Sequence, residues 1–409
     1  MGFNGFDILP RGASEAIRPW KVNIPQQDLD KLVTLLKVTP LAPPTFENSL
    51  PGQDRHMGVR RDWLLAAKHY WEADFDWRKH EKHINSFPHF KAPIHDSSGV
   101  FDIHLVALFS KRSDAIPILL LHGWPGCFAE FLSILEIIRT RYTAETLPYH
   151  LVVPSLPGYA FSSPPPLDRD IDSDDAARIF DALAVLLGFR NYMIQGGDLG
   201  GRIGRVVAAK YPSCKAIHLN TGPMPPPDLA LIKSPINEKE RDGLERHFFF
   251  KHNGSAYAWT HATRPSTIGF VLSSNPIALL AWVGEKYMDW TDEDPPLDVV
   301  LEFVTLYWVT NCAATSLWSY RQFYGPQAES HGTKRWHINK PLGYSWFAKE
   351  ITPVPKAWIE TTGDLVFYKQ HDNGGHFAAM EQPLALWNDV EEFLIHIKDC
   401  FKEQTHGSP

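Results

Sequence analysis

Gln195-Gly196-Gly197-Asp198-Leu199-Gly200-Gly201 sets a carboxylate among glycines, between the apolar run Tyr192–Gln195 and a helical pattern. Small-x-Asp-x-small is the spacing of a nucleophile elbow, with Asp where Ser usually stands. The pattern implies a strand, a very tight turn and a helix. Side chains at 196 or 200 would clash as strand and helix close up. Such a turn lifts the Asp198 carboxylate above the sheet, and the Leu199 N–H at the helix start can face a developing oxyanion. Two plainer readings compete. A dinucleotide turn would need G-x-G-x-x-G, and Asp198 would repel a pyrophosphate. A helix N-cap needs nothing more than Asp198 itself.

An aspartate with its ordinary pKa near 3.9 is ionised at pH 7 and needs no base to attack. It suits displacement at an sp³ carbon, which leaves an alkyl ester on Asp198. A base is required only afterwards, to drive water onto that ester. Gly374-Gly375-His376 follows a strand pattern and supplies an imidazole on a loop. Glu350, Asp364 and Asp372 compete to orient it. Glu350 lies at the carboxyl end of the strand pattern 342–347, where ligands bind, whereas Asp364 precedes its strand. Asp372 reads as a turn residue. The second oxyanion donor falls in His122-Gly123-Trp124-Pro125-Gly126, as the Trp124 N–H, with Trp124–Pro125 a candidate cis peptide. Losing one such donor typically costs about 3–4 kcal/mol.

The elements that must hold these groups divide the chain into expected regions. Residues 1–95 form a meander with helical periodicity at 24–36 and 60–74. Residues 96–223 alternate strand and helix, with strand patterns at 101–108, 116–121, 150–155, 192–195 and 216–220. Helical patterns run from 128 to 141 and from 172 to 187. Repeated strand–helix units predict a mainly parallel sheet with helices on both faces. Residues 224–331 read as helices rich in aromatics, an insertion that makes a lid. Residues 332–409 return to sheet texture at 341–347, at Trp358-Ile359-Glu360 and at 365–368, and then end in a helix from Leu384 to Phe401.

Composition narrows the classes. A net charge of −7 without a basic cluster argues against nucleic acid. Cys127, Cys214, Cys312 and Cys400 are scattered and read as free thiols, not as a zinc site or a disulfide frame. The N-terminus lacks a signal pattern, the tail Gln404–Pro409 matches no targeting signal, and no long apolar run spans a membrane. The expectation is a cytoplasmic protein without a membrane anchor.

Together, His122-Gly123-Trp124-Pro125-Gly126, Gly197-Asp198-Leu199-Gly200-Gly201 and Gly375-His376-Phe377-Ala378-Ala379 resemble the microsomal-type and fungal epoxide hydrolases of the α/β-hydrolase superfamily. The resemblance covers nearly the whole chain, with Trp20-Lys21-Val22 and Phe75-Asp76-Trp77-Arg78 matching that family's N-terminal region. It implies an α/β-hydrolase core with Asp198 as nucleophile, His376 as base and Glu350 as charge-relay acid. Tyr257 and Tyr320 would be the lid tyrosines that bind and protonate the epoxide oxygen, with Tyr324 a nearby decoy. Trp124 and Leu199 would form the oxyanion hole. The implied partners are an apolar epoxide and water, with no cofactor and no metal; a homodimer is compatible with this. Without the membrane anchor of microsomal members, the soluble fungal type is the closer match. A haloalkane-type dehalogenase would carry Trp where Leu199 stands. An epoxide-opening cyclase would share the same chemistry, and a ligand receptor on this fold would be expected to lose His376 or Glu350.

Overall fold

The computed structural model describes residues 3–52, 54–96, 99–325 and 328–401. The tail Gln404–Pro409 lies outside them. Nine strands form one sheet among the described residues: β1 (Arg18–Trp20), β2 (His89–Asp96), β3 (Gly99–Leu108), β4 (Ile116–Leu121), β5 (Tyr149–Pro154), β6 (Tyr192–Gly196), β7 (Cys214–Leu219), β8 (Ile338–Lys349) and β9 (Gly363–Gly375). The order is β1-β2-β3-β5-β4-β6-β7-β8-β9. Every pairing from β5 to β9 is parallel, while β1, β2 and β3 join antiparallel. The central strands are unbroken apolar runs because both faces are covered: Ile118, Leu119, Leu121, Met193 and Ile194 are fully buried.

The sequence reading needs correcting in two places. Residues 18–20 and 89–95 lie in the stretch expected to be helical, yet they form β1 and most of β2, and the expected boundary at 95/96 runs through β2. His89, Lys91 and His95 interrupt the apolar pattern, and Pro93 is an unusual strand residue. Trp358-Ile359-Glu360, expected in a strand, instead closes the short helix Lys356–Ile359 and enters a 3₁₀ turn. Pro355 at its N-cap outweighs the local β preference.

Between β7 and β8 the chain is helical among the described residues, including Ala256–Thr263, Pro276–Trp290 and Leu297–Val309. The N-terminal helices Gln26–Val38, Arg61–Ala73 and Trp77–Ile84 brace this insertion from outside. Trp71 Nε1 donates to Thr305 Oγ1 at 3.0 Å, and Asn275 Nδ2 donates to Thr39 Oγ1 at 2.7 Å. His80 Nε2 lies 3.1 Å from Asp298 Oδ2. No single helix among the described residues is long and apolar enough to cross a membrane.

Candidate active site

β6 ends at Gly196, and the next helix, Asp198–Lys210, begins with Asp198 at φ 44°, in the left-handed region. A Cβ on Gly200 would fall 2.1 Å from the Leu121 carbonyl oxygen, and one on Gly196 would fall 2.7 Å from the Gly200 carbonyl carbon. Only glycine permits that approach of strand, turn and helix.

The turn presents the Asp198 carboxylate to the loop after β4. Trp124 N–H donates to Asp198 Oδ1 at 2.8 Å, and the Leu199 N–H stands at the start of the same helix, where it favours the charged carboxylate. The Trp124–Pro125 peptide is cis. Burial would raise the Asp198 pKa, but His376 and these two amides hold it below the usual aspartate value. The carboxylate is therefore ionised at neutral pH.

His376 follows β9 at the same end of the sheet. Its Nδ1 lies 2.9 and 3.0 Å from the two carboxylate oxygens of Glu350, one residue past β8. Its Nε2 lies 3.4 Å from Asp198 Oδ2, yet is not aligned for a hydrogen bond with any described residue. Its backbone N–H donates to Trp290 O at 2.8 Å, tying the loop to the helix Pro276–Trp290. Burial pushes the His376 pKa down, but the charges of Glu350 and Asp198 outweigh burial and hold it well above its ordinary value. Asp364 sits at the opposite end of β9, and Asp372 is paired with Lys239. Of the three candidate acids, the structure brings only Glu350 to His376.

Tyr257 and Tyr320 come together on facing helices, Ala256–Thr263 and Tyr320–Phe323, with ring centroids 5.8 Å apart. Tyr257 stacks on Trp124 at 5.1 Å, and Tyr320 meets the same indole edge-on at 5.8 Å. Burial, helped by neighbouring phenols and the Asp198 charge, raises both pKa values well above 10 and keeps both phenols protonated. Tyr324 lies behind Tyr320, against Trp259 and near Arg202. A π-helical turn, Phe250–Gly254, comes just before the Tyr257 helix.

Sequence reasoning missed three groups in this neighbourhood. His261, fully buried, packs 4.6 Å from Trp124 and 4.7 Å from Tyr320, accepts from Trp282 Nε1 at 3.0 Å, and is pushed down to about 3 by burial. Its signal was its i+4 spacing from Tyr257, one turn along the same helix face. Lys286 Nζ stands 4.7 Å from the Tyr257 ring centroid, and nothing in the sequence pointed to it. Glu130 faces Asp198 and His376; its signal was a charge between Ala129 and Phe131, both buried.

Residues 17–131 match the family described as the epoxide hydrolase N terminus, and residues 116–383 match the alpha/beta hydrolase fold. The structure of Aspergillus niger epoxide hydrolase superposes with a TM-score of 0.90 at 46% identity, covering 96% of this chain and 99% of that one. A Dothistroma septosporum protein named provisionally as an epoxide hydrolase is 42% identical over 393 residues, 95% of this chain and 92% of its own. Epoxide hydrolase 1 of Oryctolagus cuniculus is 31% identical over 414 residues, covering 93% and 89%. The chain therefore belongs to the epoxide hydrolases of the alpha/beta hydrolase fold.

Proposed function

We propose that this epoxide hydrolase converts an apolar epoxide to a vicinal diol in two steps, through an alkyl ester on Asp198. The observation that carries the reading is the opposed pair of environments around one carboxylate. The Trp124 amide holds Oδ1 from one side, and Oδ2 is left toward His376. In the first step Oδ2 attacks a ring carbon, the C–O bond breaks, and the oxygen takes a proton from the Tyr257/Tyr320 pair. In the second, His376 takes a proton from water as its oxygen adds to the ester carbonyl. The oxyanion forms at Oδ1 against the Trp124 and Leu199 amides. Collapse expels the alkoxide, which regains the proton from His376 and leaves as the diol. The new Asp198 carboxyl proton returns to the phenolate. The aromatic surroundings of Tyr257, Trp124, Trp290 and Phe250 support an apolar substrate. Paired phenols, with Leu199 after the nucleophile, favour an epoxide oxygen over a halide.

The test is the intact mass of His376→Gln after incubation with styrene oxide. One substrate mass added at Asp198, and absent from Asp198→Ala, is the expected result. An unmodified variant alongside an active unmutated enzyme would overturn the covalent route.

A further inference from the structure

A cavity of about 20 Å³ lies beside the Asp198 carboxylate, bounded by Glu130, Gln195, Asn220, His376 and Gly123. That is room for one water molecule and little else. Two buried atoms on the residues that line it have no hydrogen-bond partner among the described residues, His376 Nε2 and Gln195 Oε1. Gln195 is 1% exposed, and its amide nitrogen donates to Asn220 Oδ1 at 2.9 Å, which leaves the carbonyl oxygen over. Buried polar atoms left this way cost about 1–3 kcal/mol each unless water satisfies them.

Glu130 supplies the third polar group. It sits on the 3₁₀ turn Phe128–Phe131, and its carboxyl folds back over Gly126, where a Cβ would fall 1.2 Å from Oε1. Glycine at 126 is what lets the carboxyl take this position. We propose that this cavity seats the water that hydrolyses the Asp198 ester, and that Glu130, with Gln195, is the positioning residue that aims it at Asp198 Cγ and His376 Nε2. The inference rests on the two-step reading above. The water donates one proton toward His376 Nε2 and the other to Gln195 Oε1. One lone pair accepts from the Glu130 carboxyl, and the second forms the bond to Asp198 Cγ. Its oxygen stays in the regenerated carboxylate, and the alkyl oxygen leaves with the diol.

The charge state suits this role. Burial pushes the Glu130 carboxyl up to about 8, against a small opposing pull from His376, so near neutrality it is a donor and puts no charge beside the oxyanion. The other titratable groups facing it are Asp198, Cys127, Tyr159 and Tyr287. Burial raises the thiol and both phenols well above their ordinary values.

The experiment follows ester formation and decay separately, by acid-quenched intact mass during reaction with styrene oxide. Glu130→Leu is expected to slow decay about 10- to 100-fold, the loss of one hydrogen bond to the reacting water, while the rate of ester rise stays unchanged. Glu130→Gln restores decay to within about threefold at pH 7, since it keeps a donor of the same size. Unchanged decay in Glu130→Leu, or an equal fall in both steps, overturns the proposal. Should Glu130→Leu not fold, the pH profile of Glu130→Gln decides. Decay in the unmutated enzyme falls above about pH 8 and in the variant does not; identical profiles overturn the assignment. If His376→Gln traps no ester, the two-step reading itself has failed. If it traps ester while Glu130→Leu decays normally, only the Glu130 assignment has failed.

Discussion

Trp124 N–H and Asp198 Oδ1 stand 2.8 Å apart, so one oxygen of the nucleophile already occupies the position in which the oxyanion later forms. Gly123 makes the approach possible, since a Cβ there would lie 2.2 Å from that oxygen. Gly123→Ala should therefore push the carboxylate off its donors and lower kcat by about 10²–10³-fold, the usual effect of losing an oxyanion donor. Steady-state kinetics, with circular dichroism to confirm folding, checks this. A folded variant within threefold of normal activity would count against it.

The tyrosine pair acts in the opposite half of the cycle. Tyr257→Phe and Tyr320→Phe should each slow ester formation, and together slow it about 10²–10⁴-fold, the range for a positioned acid. Ester decay should be untouched in all three variants. Because both phenols are held well above 10, formation in the unmutated enzyme should show no loss from phenol ionisation up to about pH 10. Stopped-flow measurement of the rise phase tests both statements.

His376 is protonated in the free enzyme partly because Asp198 is charged. Alkylation removes that charge, so the imidazole pKa falls and the ring can release its proton to solvent, leaving it free to accept one from water at the moment a base is needed. Asp198→Asn mimics the change and should move the His376 titration toward lower pH, followed by its ring resonances in NMR. An unmoved titration would break this link. The same raised pKa has a stability consequence with a definite sign. The stabilisation is fully present below about pH 6.5, the unfolded value, and is lost as pH rises through the folded one.

Gly200→Ala tests the elbow itself. A methyl group 2.1 Å from the Leu121 carbonyl cannot be absorbed by a side-chain rotation, because the obstacle is backbone. The expected cost is at least about 3 kcal/mol, read as a lower denaturant midpoint or as loss of soluble protein. A midpoint equal to that of the unmutated protein would show that strand and helix can separate.

The positions of Asp198, His376 and Glu350 were legible because each is anchored to a strand end, and strand ends show as apolar runs breaking into glycine or charge. His122–Gly126 was legible for the same reason. His261, Lys286 and Glu130 were not, since a polar residue on a helix reads as surface unless the opposing element is known. Burial of Lys286 depends on Tyr257, Trp282 and Trp290 converging around one ammonium group. β2 was hidden for a related reason: it pairs antiparallel with β3, and its His and Lys side chains are accommodated by neighbours the sequence does not reveal. Lys91 Nζ, for instance, lies 3.4 Å from Asp102 Oδ2.

The contact between Trp71 and Thr305 joins positions 234 residues apart. A ribosome adding about 5–20 residues per second takes on the order of 10–50 s to cover that distance. Throughout that interval the nascent N-terminal helices lack the surface that will cover Trp71. For this enzyme the brace that steadies the finished lid is also a long wait in its biosynthesis, an interval in which the growing chain would be open to chaperone capture.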